Sequence, residues 1–140
     1  MPNPLKLMMG ATGVSGVSAG ALYTRGHNND GALGLGDGSN RSSPVQVGSL
    51  AGWENIAFGN KTAYAVKEDG TLWAWGANSY GALGDGTGSG HKSSPVQIGS
   101  LTNWEYAAGS TNIGGAIKTD GTLWMWGNNG YGVLGLGDTT

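Results

Sequence analysis

Apolar side chains in this chain fall in short runs with a period of two, separated by turn residues. Trp53–Phe58 (WENIAF) and Thr62–Lys67 (TAYAVK) alternate small or polar residues with larger ones. The runs at 72–75 (LWAW) and 95–98 (PVQI) complete a group of four. A period of two is the pattern of a β-strand, whose side chains point alternately to opposite faces. No stretch sustains a helical period. Asp69-Gly70 stands between the second and third runs, and Asp120-Gly121 recurs further along. Asp-Gly favours the positive φ angles of a tight hairpin turn. In LWAWG, Leu72, Ala74 and Gly76 share one face and Trp73 and Trp75 the other. A strand apolar on both faces belongs to a sheet packed between two neighbours.

The whole group repeats. SSPVQVGSL at 42–50 returns as SSPVQIGSL at 93–101, and DGTLW at 69–73 returns at 120–124. Tyr80-Gly81-Ala82-Leu83-Gly84 returns as Tyr131-Gly132-Val133-Leu134-Gly135, so the period is about 51 residues. An earlier copy runs from Leu22-Tyr23-Thr24-Arg25-Gly26 through Gly31-Ala32-Leu33-Gly34. Copies thus start near 22, 72 and 123 within residues 22–140, and residues 1–21 read as degenerate first strands or a leader. Four short strands per repeat of this length make one blade of a β-propeller. The expected fold is all-β, with four-stranded antiparallel blades, about 2.5–3 of them in the chain.

Composition narrows the function classes. The chain has 140 residues, of which 29 are glycine and 11% are charged. Six tryptophans and five tyrosines argue against disorder, which is poor in aromatics. Seven basic and nine acidic residues give a net charge of −2 with no basic stripe, so nucleic acid is not an expected partner. Cysteine is absent, which removes disulfides, thiolate metal sites and cysteine nucleophiles. No apolar run approaches a membrane span, and the glycines and serines within 5–21 make a poor secretory signal.

With these residues in view, LWAWGANSYGALGDG at 72–86, preceded by DGT and followed by SSPVQI, resembles the regulator of chromosome condensation repeat family. So does LWMWGNNGYGVLGLGD at 123–138. The family's usual run is DG, then WG-N-x-x-G-Q-L-G. Ala32, Ala82 and Val133 hold the Gln position, and Thr62 and Ile113 stand where a histidine is common. The resemblance covers about residues 22–140 and implies a propeller, typically of seven blades. The nucleotide-exchange activity of the founding member does not carry over, because it rests on a complete propeller.

Candidate chemistry is sparse. The Gly-rich loops at 34–38 and 84–90 look like phosphate cradles, but such a cradle needs a following helix N-terminus, and these lead into strands. Asp37, Asp85 and Asp138 supply one carboxylate per loop, too few for calcium, and suit a turn role. His27 and His91 have no nucleophile or metal motif around them. No enzyme activity, metal or cofactor is expected. The recurring tryptophans suit packing between blades before a stacking platform for sugars or bases.

The expected core is Leu72, Trp73, Trp75, Leu83, Leu123, Trp124, Trp126 and Leu134. Arg25 takes the position of Trp75 and Trp126, and a guanidinium there needs a partner or an open face. The expected function is a structural or macromolecule-binding module, with a place in a virion or appendage as one such role. The alternative is an inhibitor or regulatory ligand that binds an enzyme or other protein through one rim. The chain itself is an expected partner, because fewer than three blades leave an apolar face and a strand edge uncovered. Pro4, Leu5 and Leu7 share the Pro-apolar-polar-apolar pattern of the fourth strand and, with Arg25, are candidate contacts. A ring of about three chains, or a filament, would follow from such head-to-tail contacts, with a truncated natural gene as the plain alternative.

Overall fold

A computed structural model describes residues 20–139 of the chain. Its strands are β1 (Tyr23–Gly26), β2 (Arg41–Gln46), β3 (Trp53–Phe58), β4 (Thr62–Lys67), β5 (Leu72–Gly76), β6 (Lys92–Gln97), β7 (Trp104–Ser110), β8 (Ile113–Lys118) and β9 (Leu123–Gly127). They form three antiparallel sheets in the orders β1-β2, β3-β4-β5-β6 and β7-β8-β9. The second sheet is a complete four-stranded blade. The first and third are blades of which two and three strands lie among the described residues. Pro4, Leu5 and Leu7 lie outside them.

The second blade is covered on both faces, as the alternation in its strands requires. Tyr64 pairs with Ala74 and Val66 with Leu72 across β4 and β5. Their side chains join Leu83 and Ile98 and meet Trp104, Ala107, Ala116 and Trp126 of the third blade. On the other face Ala63, Ala65 and Trp75 form a cluster with Leu22 of the first blade, Trp53 and Trp73. Burying such a surface contributes about 25 cal/mol per Å² of apolar area removed from water. β7 packs against both β3 and β4, so the first strands of successive blades converge.

Several expectations are corrected. The fourth strand of the second copy is Lys92–Gln97, starting earlier than residue 95. Ile98 follows it, buried, with its N–H donating to the Leu72 carbonyl at 2.8 Å. The tight turn expected at Asp69-Gly70 is present, with one positive φ in place of several. Gly70 N–H donates to the Lys67 carbonyl at 2.8 Å, Lys67 N–H donates to the Thr71 carbonyl at 3.0 Å, and Gly70 alone carries the positive φ, 78°. This is a type I turn closed by a glycine bulge. Leu72, Trp75 and Leu83 are fully buried, and Trp73, Trp126 and Leu134 are half-buried. Leu123 and Trp124 are not core residues, being 64% and 49% exposed. Their equivalents Leu72 and Trp73 are covered by a fourth strand and a neighbouring blade, whereas no strand beyond β9 pairs with it among the described residues.

Candidate protein-docking surface

Each blade presents the loop after its third strand on one rim, and a buried asparagine holds that loop. Asn28, Asn78 and Asn129 occupy one repeat position. Their Oδ1 atoms accept from the N–H groups of Leu33, Leu83 and Leu134 at 2.8, 2.9 and 3.1 Å. Their Nδ2 groups donate across the loop to the Asp37 carbonyl at 2.9 Å, Asp85 Oδ1 at 3.0 Å and the Asp138 carbonyl at 3.1 Å. A buried amide so satisfied fixes the loop in one shape. The loops therefore get their form from within and lead into β2 and β6, unlike phosphate cradles. Exposed aromatics decorate this rim. Tyr80 and Tyr131 stand at equivalent positions, 65% and 94% exposed, and Tyr80 holds a left-handed φ of 59°.

The turn before the third strand carries a second recurring network. Asp69 Oδ1 accepts from the Thr71 N–H at 3.0 Å and from its hydroxyl at 2.6 Å, and Trp73 Nε1 donates to Thr71 Oγ1 at 2.8 Å. Asp120, Thr122 and Trp124 repeat it at 2.9, 2.6 and 3.1 Å. The threonine hydroxyls, and then the backbone N–H groups, hold both carboxyls below the usual aspartate range. Lys118 Nζ lies 3.9 Å from the Trp124 ring centre and 5.1 Å from that of Trp104, a cation–π pairing. Lys67 sits similarly over Trp53 and Trp73, at 6.0 and 5.8 Å.

The seam between blades has its own latch. Trp75 Nε1 donates to the Ala32 carbonyl of the first blade at 2.9 Å, and Trp126 Nε1 donates to the Ala82 carbonyl of the second at 2.8 Å. Gly34 and Gly84 make room for the indoles. A Cβ on either would lie 2.9 Å from the ring of Trp75 or Trp126, and both glycines have positive φ. The Ala82 carbonyl also accepts from the Tyr64 hydroxyl at 2.5 Å, so both its lone pairs are used.

The outward face of the third blade has the same parts, with no cover among the described residues. Tyr106, Ile113, Ile117, Leu123 and Met125 line an open apolar depression of about 250 Å³. Val133 holds the position of Ala32 and Ala82, and a Cβ at Gly135, equivalent to Gly34 and Gly84, would meet open space. At the other end of the stack Arg25 is exposed, on the strand face opposite the buried Thr24. With Tyr23, His27, Phe58 and Asn60 it lines a second, more polar hollow of about 340 Å³.

The two histidines do not come together. His27 lines that hollow, and His91 Nε2 lies 3.8 Å from Asp30 Oδ1, which also pairs with Lys61 Nζ. Among the described residues no three His, Asp or Glu side chains gather to hold a metal, and no helix is long and apolar enough to cross a membrane. The buried asparagines were missed by reading strand periodicity, because they lie off the apolar strands; the indoles lie on them, and only their hydrogen bond to the preceding blade was missed. Recurrence of Asn and of Trp at fixed repeat positions was the available signal.

Comparison with known proteins gives the arrangement a family. The regulator of chromosome condensation (RCC1) repeat model matches residues 19–66 and 69–117, and a second model of the same description matches 53–82. The chain is 33% identical over 145 residues to the ultraviolet-B receptor UVR8 of Arabidopsis thaliana, covering 97% of this chain and 33% of the receptor. Human WBSCR16 superposes with a TM-score of 0.71 at 28% identity, over 79% of this chain and 29% of that one. Yeast RCC1 (Prp20), in a crystal structure with Kap60 bound, gives 0.65 at 22% identity, over 80% of this chain and 29% of that one. Prp20p of Saccharomyces cerevisiae, described with its binding to Gsp1p and histones, gives 0.67 at 23% identity, over 81% and 30%. The chain spans about a third of the length of these relatives. It belongs to the RCC1 repeat family and folds as consecutive blades of a β-propeller.

Proposed function

We propose that this chain is a non-catalytic module that binds protein, its own copies included, through the outward face of its third blade. The observation that carries this reading is the exposed apolar set Ile117, Leu123 and Met125 beside an open loop seat. A contiguous apolar patch on an otherwise polar surface marks an interaction site. The hydroxyl–carboxylate pairs at Asp69, Asp85 and Asp120 close turns and loops, and the loops are pinned by hydrogen bonds internal to them. The relatives support the class, since yeast Prp20 is seen with Kap60 bound. Affinity capture from native extract, comparing the wild-type chain with Leu123→Asp, tests it. The expected result is a protein retained by the wild type and lost by the variant. A retained set indifferent to Leu123 counts against this face.

The exposed Tyr80 and Tyr131 favour a second reading, a regulatory ligand or inhibitor that grips a partner through the loop rim. Exposed aromatic anchors repeated on one rim are what such a contact uses. Double substitution Tyr80→Ser with Tyr131→Ser would then abolish capture, while Leu123→Asp would leave it intact.

A further inference from the structure

The rim loop of the first blade crosses onto the second, and two kinds of contact hold it there. The first kind is neutral. Trp75 Nε1 donates to the Ala32 carbonyl at 2.9 Å, and Gly36 N–H donates to the Ser93 carbonyl at 2.7 Å. Gly31 lies so close to β6 that a Cβ there would meet the Ser93 Cα at 2.7 Å.

The second kind is a carboxylate bridge. Asp30 belongs to the same loop, and its side chain is only 18% exposed. Its Oδ2 lies 3.1 Å from Lys61 Nζ in the turn between β3 and β4. Its Oδ1 lies 3.8 Å from His91 Nε2, one residue before β6. A single sheltered acid of one blade thus faces two bases of the next. The other charges nearby are engaged elsewhere: Lys92 turns to Asp85 at 3.5 Å, and Arg41 to Asp37 at 2.6 Å.

The bridge is an addition to the repeated framework. The indole latch occurs at both blade boundaries, whereas Tyr80 and Asn112 stand at the second boundary in the positions of Asp30 and Lys61. The two arms of the bridge also differ in kind. A lysine is charged throughout the neutral range, and a histidine changes charge between about pH 5 and 8.

We propose that His91 is a proton-operated catch on this boundary: on taking up a proton, its imidazole joins Lys61 on Asp30 and draws the first blade's rim loop onto β6. With the imidazole neutral, the loop is held by the latch, the Ser93 contact and Lys61 alone. Lys61 and His91 are more than half exposed, so protons reach the site freely and each arm contributes modestly. The result is a graded tightening, about two- to fivefold in the local opening equilibrium. Protonation of a histidine at a packed boundary is a recurrent way of biasing such an equilibrium.

Amide hydrogen exchange of the 140-residue chain at about pH 5.5 and pH 8, corrected for intrinsic rates, tests it. The Gly36 amide reports docking on β6, and the Leu33 amide, bonded to Asn28 within the loop, is the internal control. Protection at Gly36 should be about two- to fivefold higher in acid, with Leu33 unchanged. His91→Gln should abolish the difference and leave protection at pH 8 as in the wild type. Asp30→Asn should abolish it and lower protection at both pH values, since the Lys61 arm goes too. His27→Gln should retain it, and salt near 1 M should shrink it. Equal Gly36 protection at the two pH values overturns the proposal, as does a pH response that survives His91→Gln. Equal changes at Gly36 and Leu33 would place the effect in the loop's own fold and overturn it as well.

Discussion

Trp126 and Ala82 meet across a blade boundary. The indole N–H donates to the Ala82 carbonyl at 2.8 Å, and the same carbonyl takes the Tyr64 hydroxyl from within its own blade. The Trp126 ring also lies edge-on to Tyr64, with centres 6.2 Å apart. One acceptor thus ties the loop, the second strand of its blade and the third strand of the next into a single unit.

Trp75 makes the corresponding contact to Ala32 and is fully buried. Trp75→Ala should cost about 3–5 kcal/mol through lost packing and the cavity left behind. Trp75→Phe keeps most of the packing and removes the donor. It should cost less, about 1–3 kcal/mol, from the unpaired Ala32 carbonyl and the smaller ring. Urea denaturation of the two variants gives the order, and a Phe variant as damaging as Ala would show that the hydrogen bond outweighs the packing.

Gly84 and Gly135 share a left-handed backbone, φ 72° and 70°, and differ in surroundings. A Cβ at Gly84 would press on Trp126, whereas one at Gly135 meets nothing within 4 Å. Alanine at either position brings a similar backbone strain, of order 1 kcal/mol. Gly84→Ala should therefore be the more destabilising by about 1–3 kcal/mol, the cost of overpacking. Equal melting temperatures for the two variants would show that the indole yields without cost.

Asn78 is buried, and its amide is the point where the loop is tied to itself. Asn78→Ala leaves the Leu83 N–H without its partner, which should cost about 1–3 kcal/mol. Hydrogen exchange should show the effect first at the Leu83 and Thr87 amides, before any change in β4 or β5. Uniform acceleration across the blade would mean that the asparagine supports the fold globally.

Asp69 and Asp120 titrate below the usual aspartate range because threonine hydroxyls, and then backbone N–H groups, donate to them. A folded-state value below the unfolded one stabilises the fold above the unfolded value, and that stabilisation is lost as pH falls through the folded value. Stability from these groups should be constant from neutrality to about pH 4 and decline in more acid solution. Thr71→Val should move the Asp69 titration upward and leave Asp120 where it was. Carbon-detected titration of the two carboxyls checks both, and an unmoved Asp69 would reassign the cause to its backbone contacts.

The repeat, the strands and the two-faced character of the second blade were all legible in the sequence. Alternation in LWAWG placed Leu72 and Ala74 against one neighbour and Trp73 and Trp75 against the other, as their two clusters show. Burial was legible only where the neighbours are present. Leu123 has the same local pattern as Leu72 and opposite exposure, because burial depends on the covering blade as well as on the strand. The tight turn at Asp69-Gly70 was legible, but not its exact form, because Asp-Gly closes both two-residue and bulged hairpins and the choice follows from the Lys67–Thr71 pairing. The seat of Arg25 was only half legible. Its register gave the position, and only the structure shows its side exposed.

The latch also gives the stack a direction. The second blade sends its donor backward and offers its acceptor forward, and both lie within a dozen residues, from Trp75 to Gly84. A gene segment copied in tandem therefore carries plug and socket together, and every new copy fits both its predecessor and its successor without further change. Lengthening such a protein needs no invention at the new joint. The near-identity of residues 42–50 and 93–101 is what growth by this route leaves behind.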